Sequence, residues 1–594
     1  MQRRWLIAPE LSETERQAYP ELPALAVRLL RNRGLKTQKE IDEFLNPDYS
    51  SNIHDPFLFR DMNKAVKIIL SAIENNKKIV VHGDYDADGV CAGAILVSVI
   101  KKLGGKDVGI FLPHRETDGY GLNINTVKLF AEQKIDLIIT CDCGVSNVAE
   151  VTEAKRLGME VIVTDHHTVP ETLPPADAII HALVPGETYP DHGLSGGGIA
   201  FKLLQGLLRE HQKTNATLID GQTHESFEKW SLDLAAISII GDMMPLIGEA
   251  RTITRYGLTV LNKTKNLGLQ KLLQIAGVTD ENDKLKKTEI SSDTVAYQLV
   301  PRINAAGRMD HANVAFALLT CEDEREAIIL ADKLNKNNLD RQRLTEQITN
   351  QARKQLKETK QEENPVLFVY NEDWNTGILG LIAGRLKDEY YRPVIVMGKT
   401  NGEITGSGRS IYEFNLIAAL QEIPEVFSKF GGHPQACGFS LLTTDKLEEF
   451  KEKLIANATE KLKHVDLSPT IHIDAEVDLE EINWELFDTL EKFAPFGQKN
   501  ETPKYCARGL TIVTVEPVGQ DGKHLRLLVK HNSHLVRKTI GFGLGDINRH
   551  PEKWRTELKP GDKIDLAFTV GVNQWNGNRE LQLTIEDIKK NIPT

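Results

Sequence analysis

Cysteine is scarce, with six residues scattered through a chain of 594. Their spacing does not match a small disulfide framework, so reduced thiols in a cytoplasmic protein are expected. No run of about 18 apolar residues occurs, which excludes a helical membrane span. The opening Met1-Gln2-Arg3-Arg4-Trp5-Leu6-Ile7 turns polar at once, without the apolar core of a secretion signal. Positive charge is also short: the net charge is −12, which at first argues against a nucleic-acid partner. The deficit is uneven. Residues 504–594 hold 15 Lys/Arg and 10 Asp/Glu, a surplus of five, which leaves −17 to residues 1–503. Phosphate contact depends on local patches, so the basic C-terminal stretch keeps nucleic acid open.

What is present is ordinary globular material, 41% hydrophobic and 26% charged, in a chain long enough for three or more domains. Residues 1–45 read as a helical segment, broken by Asn46-Pro47-Asp48. Short β-branched runs then alternate with helical stretches: Lys78-Ile79-Val80-Val81-His82, Val108 to Leu112, Leu137 to Thr140 and Val161 to Thr164. That alternation predicts a parallel α/β sheet. Residues 196–275 read as mostly helical. Residues 322–360, rich in Glu, Lys, Gln, Leu and Ala without Gly or Pro, predict a long helical connector. A smaller α/β unit starts at Pro365, and after about 466 alternating runs such as Leu510 to Val515 predict a small β-barrel. The expected division is 1–45, 46–320, 321–360, 361–465 and 466–594.

The strongest chemical signal is His82-Gly83-Asp84-Tyr85-Asp86-Ala87-Asp88-Gly89. Three carboxylates and an imidazole follow a buried strand, and such crowding is costly unless a cation compensates it. Asp86 and Asp88 are two residues apart in a turning segment, so they could serve two adjacent metals. Two further strands end in ligand-type residues, at Asp142 and at Asp165-His166-His167. In open α/β sheets ligands bind at the carboxyl ends of strands, so these ends should converge. Asp242, after the apolar run Ala235 to Ile240, reads equally as a ligand or a helix-terminal turn residue. Oxygen and imidazole ligands favour Mn²⁺ or Mg²⁺ over a thiolate zinc site, and Cys141 and Cys143 read as packing residues.

The pattern His82-x-x-x-Asp86-x-Asp88 with Asp165-His166-His167 resembles the DHH phosphoesterase superfamily. A longer ordered set resembles the RecJ family within it. That set is Ala200-Phe201-Lys202-Leu203, Arg302-Ile303-Asn304-Ala305-Ala306-Gly307-Arg308-Met309, Gly406-Ser407-Gly408-Arg409-Ser410 and Gly431-Gly432-His433-Pro434-Gln435-Ala436-Cys437-Gly438-Phe439. The last of these looks like the glycine-rich motif of a DHHA1 domain. The extra glycine in Ser195-Gly196-Gly197-Gly198 departs from the family, as do Lys499 and Glu501.

The resemblance implies a DHH domain, a DHHA1 domain and an OB-fold. It implies two ions, with His82 and Asp86 on one, Asp88, His166 and Asp242 on the other, and Asp142 bridging them. Asp165 would orient the imidazoles, and His167 would contact the scissile phosphate. Arg302, Asn304, Arg308, Ser407, Arg409, Gly432 and His433 would hold substrate. The implied activity is 5′→3′ exonucleolysis of single-stranded DNA to 5′-mononucleotides, in recombination and repair. The implied partners are a helicase and a single-strand-binding protein, and the implied state is a monomer. Other readings are an oligoribonuclease or cyclic-dinucleotide phosphodiesterase, a pyrophosphatase, and a non-catalytic DNA-binding relative. The basic tail, with Trp554 and Trp575 as stacking candidates, favours single-stranded nucleic acid.

Overall fold

A computed structural model describes residues 3–115, 118–286, 289–400, 402–531, 535–546, 553–575 and 578–591, with the side chains of 574–578 outside that description. The chain forms two compact units. One is Tyr49–Leu467, and the other joins Met1–Asp48 to Ser468–Thr594.

The larger unit begins with five parallel strands: β1 (Ile79–Gly83), β2 (Val108–Phe111), β3 (Leu137–Cys141), β4 (Glu160–Thr164) and β5 (Ala178–Ile180). Their order is β2-β1-β3-β4-β5. Side chains alternate across a strand, and here the two sets feed two cores. Val81, Ile139 and Ile162 join the cluster that contains helices α1 (Ala87–Lys102) and α2 (Gly196–Gln212). Val80, Ile138, Val161 and Val163 pack on the opposite face with Val127 and Phe130. Burial on both faces explains why these strands read as continuous apolar runs rather than alternating ones.

Helix α3 (Leu232–Gly241) packs against α1 and α2. A π-helical turn, Val295–Leu299, leads into α4 (Val300–Met309). The connector is one helix, α5 (Glu324–Glu358), capped by Asp323, whose side chain accepts from the amide of Glu326. At 35 residues it spans about 50 Å. It leads to a mixed sheet of β6 (Leu367–Tyr370), β7 (Val394–Thr400), β8 (Glu403–Arg409), β9 (Phe427–His433) and β10 (Ala436–Leu441), ordered β9-β10-β8-β7-β6. Helix α6 (Leu379–Tyr390) covers β7 and β8.

In the second unit β11 (Lys504–Val518) pairs with both β12 (His524–Lys530) and β14 (Lys563–Trp575). With β13 (Val536–Gly541) and β15 (Asn578–Lys590) this closes a five-stranded barrel consistent with an OB-fold. The first 48 residues belong to this unit. Val27, Leu29 and Leu30 share its core with Leu510 and Phe568. The segment read as helical also carries a strand, Arg4–Ile7, which pairs in parallel with Thr470–Ile473. Among the described residues no helix is long and apolar enough to cross a membrane.

Candidate metal centre

The strand order brings the chemical residues together. Asp84 follows the end of β1, and Asp86 caps α1 by accepting the amides of Asp88 and Gly89 at 2.9 and 3.2 Å. Asp142 follows the end of β3 and sits in the left-handed region at φ 61°. Such backbone is unusual for a residue other than glycine and recurs at functional sites. Asp165-His166-His167 follows β4, and Asp242 is the C-cap of α3.

Among the described residues three groups each hold ligand atoms within 4.8 Å of one another: Asp84, Asp86 and Asp142; Asp88, His166 and Asp242; and Asp142, His166 and His167. Nε2 of His166 is 3.0 Å from Oδ1 of Asp142, and 3.5 Å from Oδ2 of both Asp88 and Asp242. Asp142 and His166 are therefore each shared between groups.

His82 joins none of them. Val80 and His82 lie on the same side of β1, the face packed over Phe130. The His82 ring stacks on Phe111 with centroids 5.4 Å apart, and Nδ1 is 3.6 Å from Sγ of Cys143. Burial pushes its pKa down to about 4. Asp84 stands in the cluster where the sequence reading put His82. Cys141 and Cys143 are buried free thiols.

Burial, then the neighbouring carboxylates, drive Asp84 and Asp142 well above the ordinary carboxyl range. The same causes raise Asp86, and bring Asp242 to about 8. Oδ1 of Asp84 is buried without a hydrogen-bond partner. Converging, mutually repelling carboxylates with an orphaned oxygen fit a hard divalent cation. Burial pulls His166 downward, which keeps the imidazole neutral and its lone pair free for a metal.

Asp165 is an orienting group. Its Oδ1 accepts the amides of His166 and His167 at 2.7 and 3.1 Å and faces Nδ1 of His167 at 2.9 Å, while Oδ2 accepts the amide of Val145. Burial lowers the His167 pKa, but the hydrogen bond and charge of Asp165, then Asp242 and Asp88, outweigh it and raise the value to about 9.

Sequence reasoning missed Tyr120, whose hydroxyl donates to the Asp142 carbonyl and lies 3.0 Å from Nδ1 of His167. It also missed why residues 196 and 197 are glycine. Their amides donate to Oδ2 and Oδ1 of Asp88, each at 2.7 Å, at the start of α2. A Cβ on Gly196 would lie 2.5 Å from Cβ of Asp142, so the tight approach admits no side chain.

The expected substrate residues divide. Asn304 holds the metal loop itself, accepting the amide of Ala87 at 2.7 Å. Arg302 donates to Asn335 and to the carbonyl of Gln298. Arg308 donates to the carbonyl of Gly377, and burial followed by the nearby Arg115 lowers its pKa to about 10. Arg409 donates to Ser407 Oγ and the Gly408 carbonyl. Gly432 (φ 143°) and His433 lie exposed on the β9–β10 hairpin. Arg115, also missed, lies 4.0 Å over the Tyr85 ring with its Nε buried and unpaired.

Family models match in chain order: the DHH family N-terminal domain at 78–239, the DHHA1 domain at 363–460 and the RecJ OB domain at 473–587. The single-stranded-DNA-specific exonuclease RecJ of Bacillus subtilis is 33% identical over 565 residues, covering 95% of this chain and 67% of that protein. This chain belongs to the RecJ family. The RecJ of Salmonella typhimurium is 30% identical and matches over 99% of both chains. A crystal structure of RecJ in complex with Mn²⁺ from Thermus thermophilus superposes with a TM-score of 0.81 at 27% identity, covering 100% of this chain and 80% of that one.

Proposed function

We propose that the chain is a single-strand-specific DNA exonuclease that works 5′→3′ and releases 5′-mononucleotides, with two Mn²⁺ or Mg²⁺ ions. The observation that carries this reading is Asp142, shared between a purely carboxylate group and a group with two imidazoles. Asp84, Asp86 and Asp142 would hold one ion. Asp88, His166 and Asp242 would hold the other, with Asp142 between them. Such a pair of cations, when bound, supplies Lewis-acid stabilisation for in-line displacement at a phosphodiester.

The chain's own residues do the rest. Asp165 fixes the His167 ring and keeps it protonated at neutral pH, so His167 can donate to a non-bridging phosphate oxygen. Tyr120 and the Gly196-Gly197 amides hold Asp142 and Asp88 in place. Water adds to phosphorus, the bond to the 3′ oxygen of the departing nucleotide breaks, and that oxygen leaves with a proton. Arg308 and Arg409 would hold the terminal phosphate, since guanidinium groups match phosphate in a fork.

The barrel unit would carry the strand. Trp554 is buried in its core, which removes it as a stacking platform, and the side chain of Trp575 lies outside the described residues. Trp484, 40% exposed beneath the Arg579 guanidinium, suits base stacking better. The reading places a monomer in the cytoplasm, beside a helicase and a single-strand-binding protein. Digestion of 5′- and 3′-labelled single strands, with a short RNA and a cyclic dinucleotide alongside, tests it. Early release of the 5′ label from DNA alone is expected. Early release of the 3′ label, or preference for RNA or the cyclic dinucleotide, would contradict it.

A further inference from the structure

Among the buried side-chain atoms of the described residues that lack a hydrogen-bond partner, two lie close together on α5: Nε of Arg341 and Oγ1 of Thr345. The two residues are one turn apart on α5 and therefore share a face. Both line a cavity of about 390 Å³, together with Gly380, Gly384 and Arg385 of α6 and Arg409 at the end of β8. That volume lies within the roughly 300–1,000 Å³ of small-ligand pockets. Buried polar atoms in folded proteins are nearly always paired, so two orphans on one cavity wall call for a partner from outside the chain.

The charge points the same way. Elsewhere on α5, Arg343 pairs with Asp340, and Arg353 pairs with Glu389. Arg341 instead donates to the neutral Asn338 at 2.8 Å. Its guanidinium is held below its ordinary pKa by burial, then by the like charges of Arg385 and Arg302. A carboxylate, Asp388, also borders the cavity, but it pairs with Lys387 at 2.6 Å. The glycines on the wall differ in the space before them. A Cβ on Gly380 would lie 2.8 Å from the Arg409 guanidinium, whereas a Cβ on Gly384 would meet nothing within 4 Å.

We propose that Arg341, Arg385 and Thr345 form a second phosphate subsite, beside the one on Arg308 and Arg409, and that it takes the phosphate of a nucleotide. Planar guanidinium donors and a hydroxyl match phosphate oxygens, which relieve the mutual repulsion of the arginines. The inference rests on the nuclease reading above. The phosphate belongs either to the DNA strand or to a free mononucleotide product. The chemistry is shared, and the experiment separates the sources.

The test uses the full chain as wild type, Arg385→Ala, Thr345→Val and Gly384→Leu. Hydrolysis of a 5′-phosphorylated single strand is measured with and without added dAMP, and dAMP binding is measured directly by calorimetry. Wild-type turnover tests the nuclease reading by itself, while calorimetry reads the subsite whether or not turnover occurs. If the ligand is the free nucleotide, the dAMP inhibition and dissociation constants rise about tenfold in Arg385→Ala, the loss of one charge-assisted hydrogen bond. If it is the strand, KM rises by a similar factor while dAMP constants stay put. Gly384→Leu, whose side chain enters open space, should follow Arg385→Ala without unfolding. Thr345→Val should shift the same constant by a smaller factor. Constants within twofold of wild type in both Arg385→Ala and Gly384→Leu would overturn the proposal.

Discussion

Oδ1 of Asp88 accepts the backbone N–H of Gly197 at 2.7 Å, across 109 residues of sequence. The amide belongs to the first turn of α2, where unpaired N–H groups and the helix dipole favour negative charge. Ser238 also donates to that oxygen. The carboxylate is thus fixed from three directions before any cation arrives.

Gly197→Ala should break this arrangement, because its Cβ would lie 2.3 Å from the Ser238 hydroxyl. A displaced ligand costs turnover more than folding. The expected loss is about 10²-fold in kcat/KM, with overpacking of about 1–3 kcal/mol in stability. Steady-state kinetics and thermal unfolding check both. Gly198→Ala, whose nearest contact would be 3.2 Å, should be milder on each.

His82 and Asp84 should separate cleanly. His82→Val removes a ring packed on Phe111 but no atom of the three ligand groups. It should leave Mn²⁺ stoichiometry unchanged and reduce turnover by at most about tenfold, as for a residue one step from the metal. Asp84→Ala should lose a bound ion and nearly all turnover. Metal titration calorimetry on the two variants decides the assignment, and loss of an ion in His82→Val would return His82 to the ligand set.

Asp233 offers a pH test away from the site. It is buried at the start of α3, accepting from Thr264 and the Leu234 amide, and burial raises its pKa to about 6. The folded protein therefore binds this proton more tightly than the unfolded chain, whose value is near 3.8. The cost of burying the charge is absent below pH 3.8, grows as pH rises, and is complete above about 6. Asp233→Asn should stabilise by ~1–3 kcal/mol at pH 8, an upper figure set by two pKa units less a weakened Thr264 bond. The gain should shrink or reverse at pH 5. Denaturant unfolding at both pH values reads it.

In the barrel unit, Trp484→Ala should weaken single-strand binding by about 1–3 kcal/mol, the range for one base–aromatic stack. The salt dependence should hardly change, because no phosphate contact is removed. Fluorescence anisotropy at two salt concentrations separates the effects, and Trp484→Phe should restore most of the affinity.

Much of this was legible in the sequence, for a physical reason. Strands buried on both faces announce themselves as apolar runs, and acids at their ends have few reasons to be there except ligation. That reasoning placed Asp86, Asp88, Asp142 and His166 within one crevice, and the family resemblance added Asp242. The ligand groups hold Asp84 where the resemblance implied His82: His82 is still inside the strand, on the face with Phe130, while Asp84 lies just beyond it. The glycines at 196 and 197 looked like a departure in loop shape. Their role depends on Asp88 and Asp142, which only the fold brings near. The pairing of Arg4–Ile7 with Thr470–Ile473 joins segments more than 460 residues apart and left no local signature. Likewise nothing in the sequence singled out Arg341 or Arg385, since neither the cavity nor the missing counter-charge is visible in one dimension.

The bridging position of Asp142 is tested most directly by Asp142→Asn, scored for bound Mn²⁺ and for hydrolysis of a labelled single strand. Asparagine keeps the shape but removes the charge shared between the ligand groups. The wild type should bind two Mn²⁺ ions, gain thermal stability from them and degrade the strand. The variant should bind the strand, hold fewer than two ions, gain little stability from Mn²⁺, and not degrade it. Removal of one repelling carboxylate should also make it more heat-stable than wild type in chelator. Two bound ions and near-normal turnover in Asp142→Asn would contradict the bridging role.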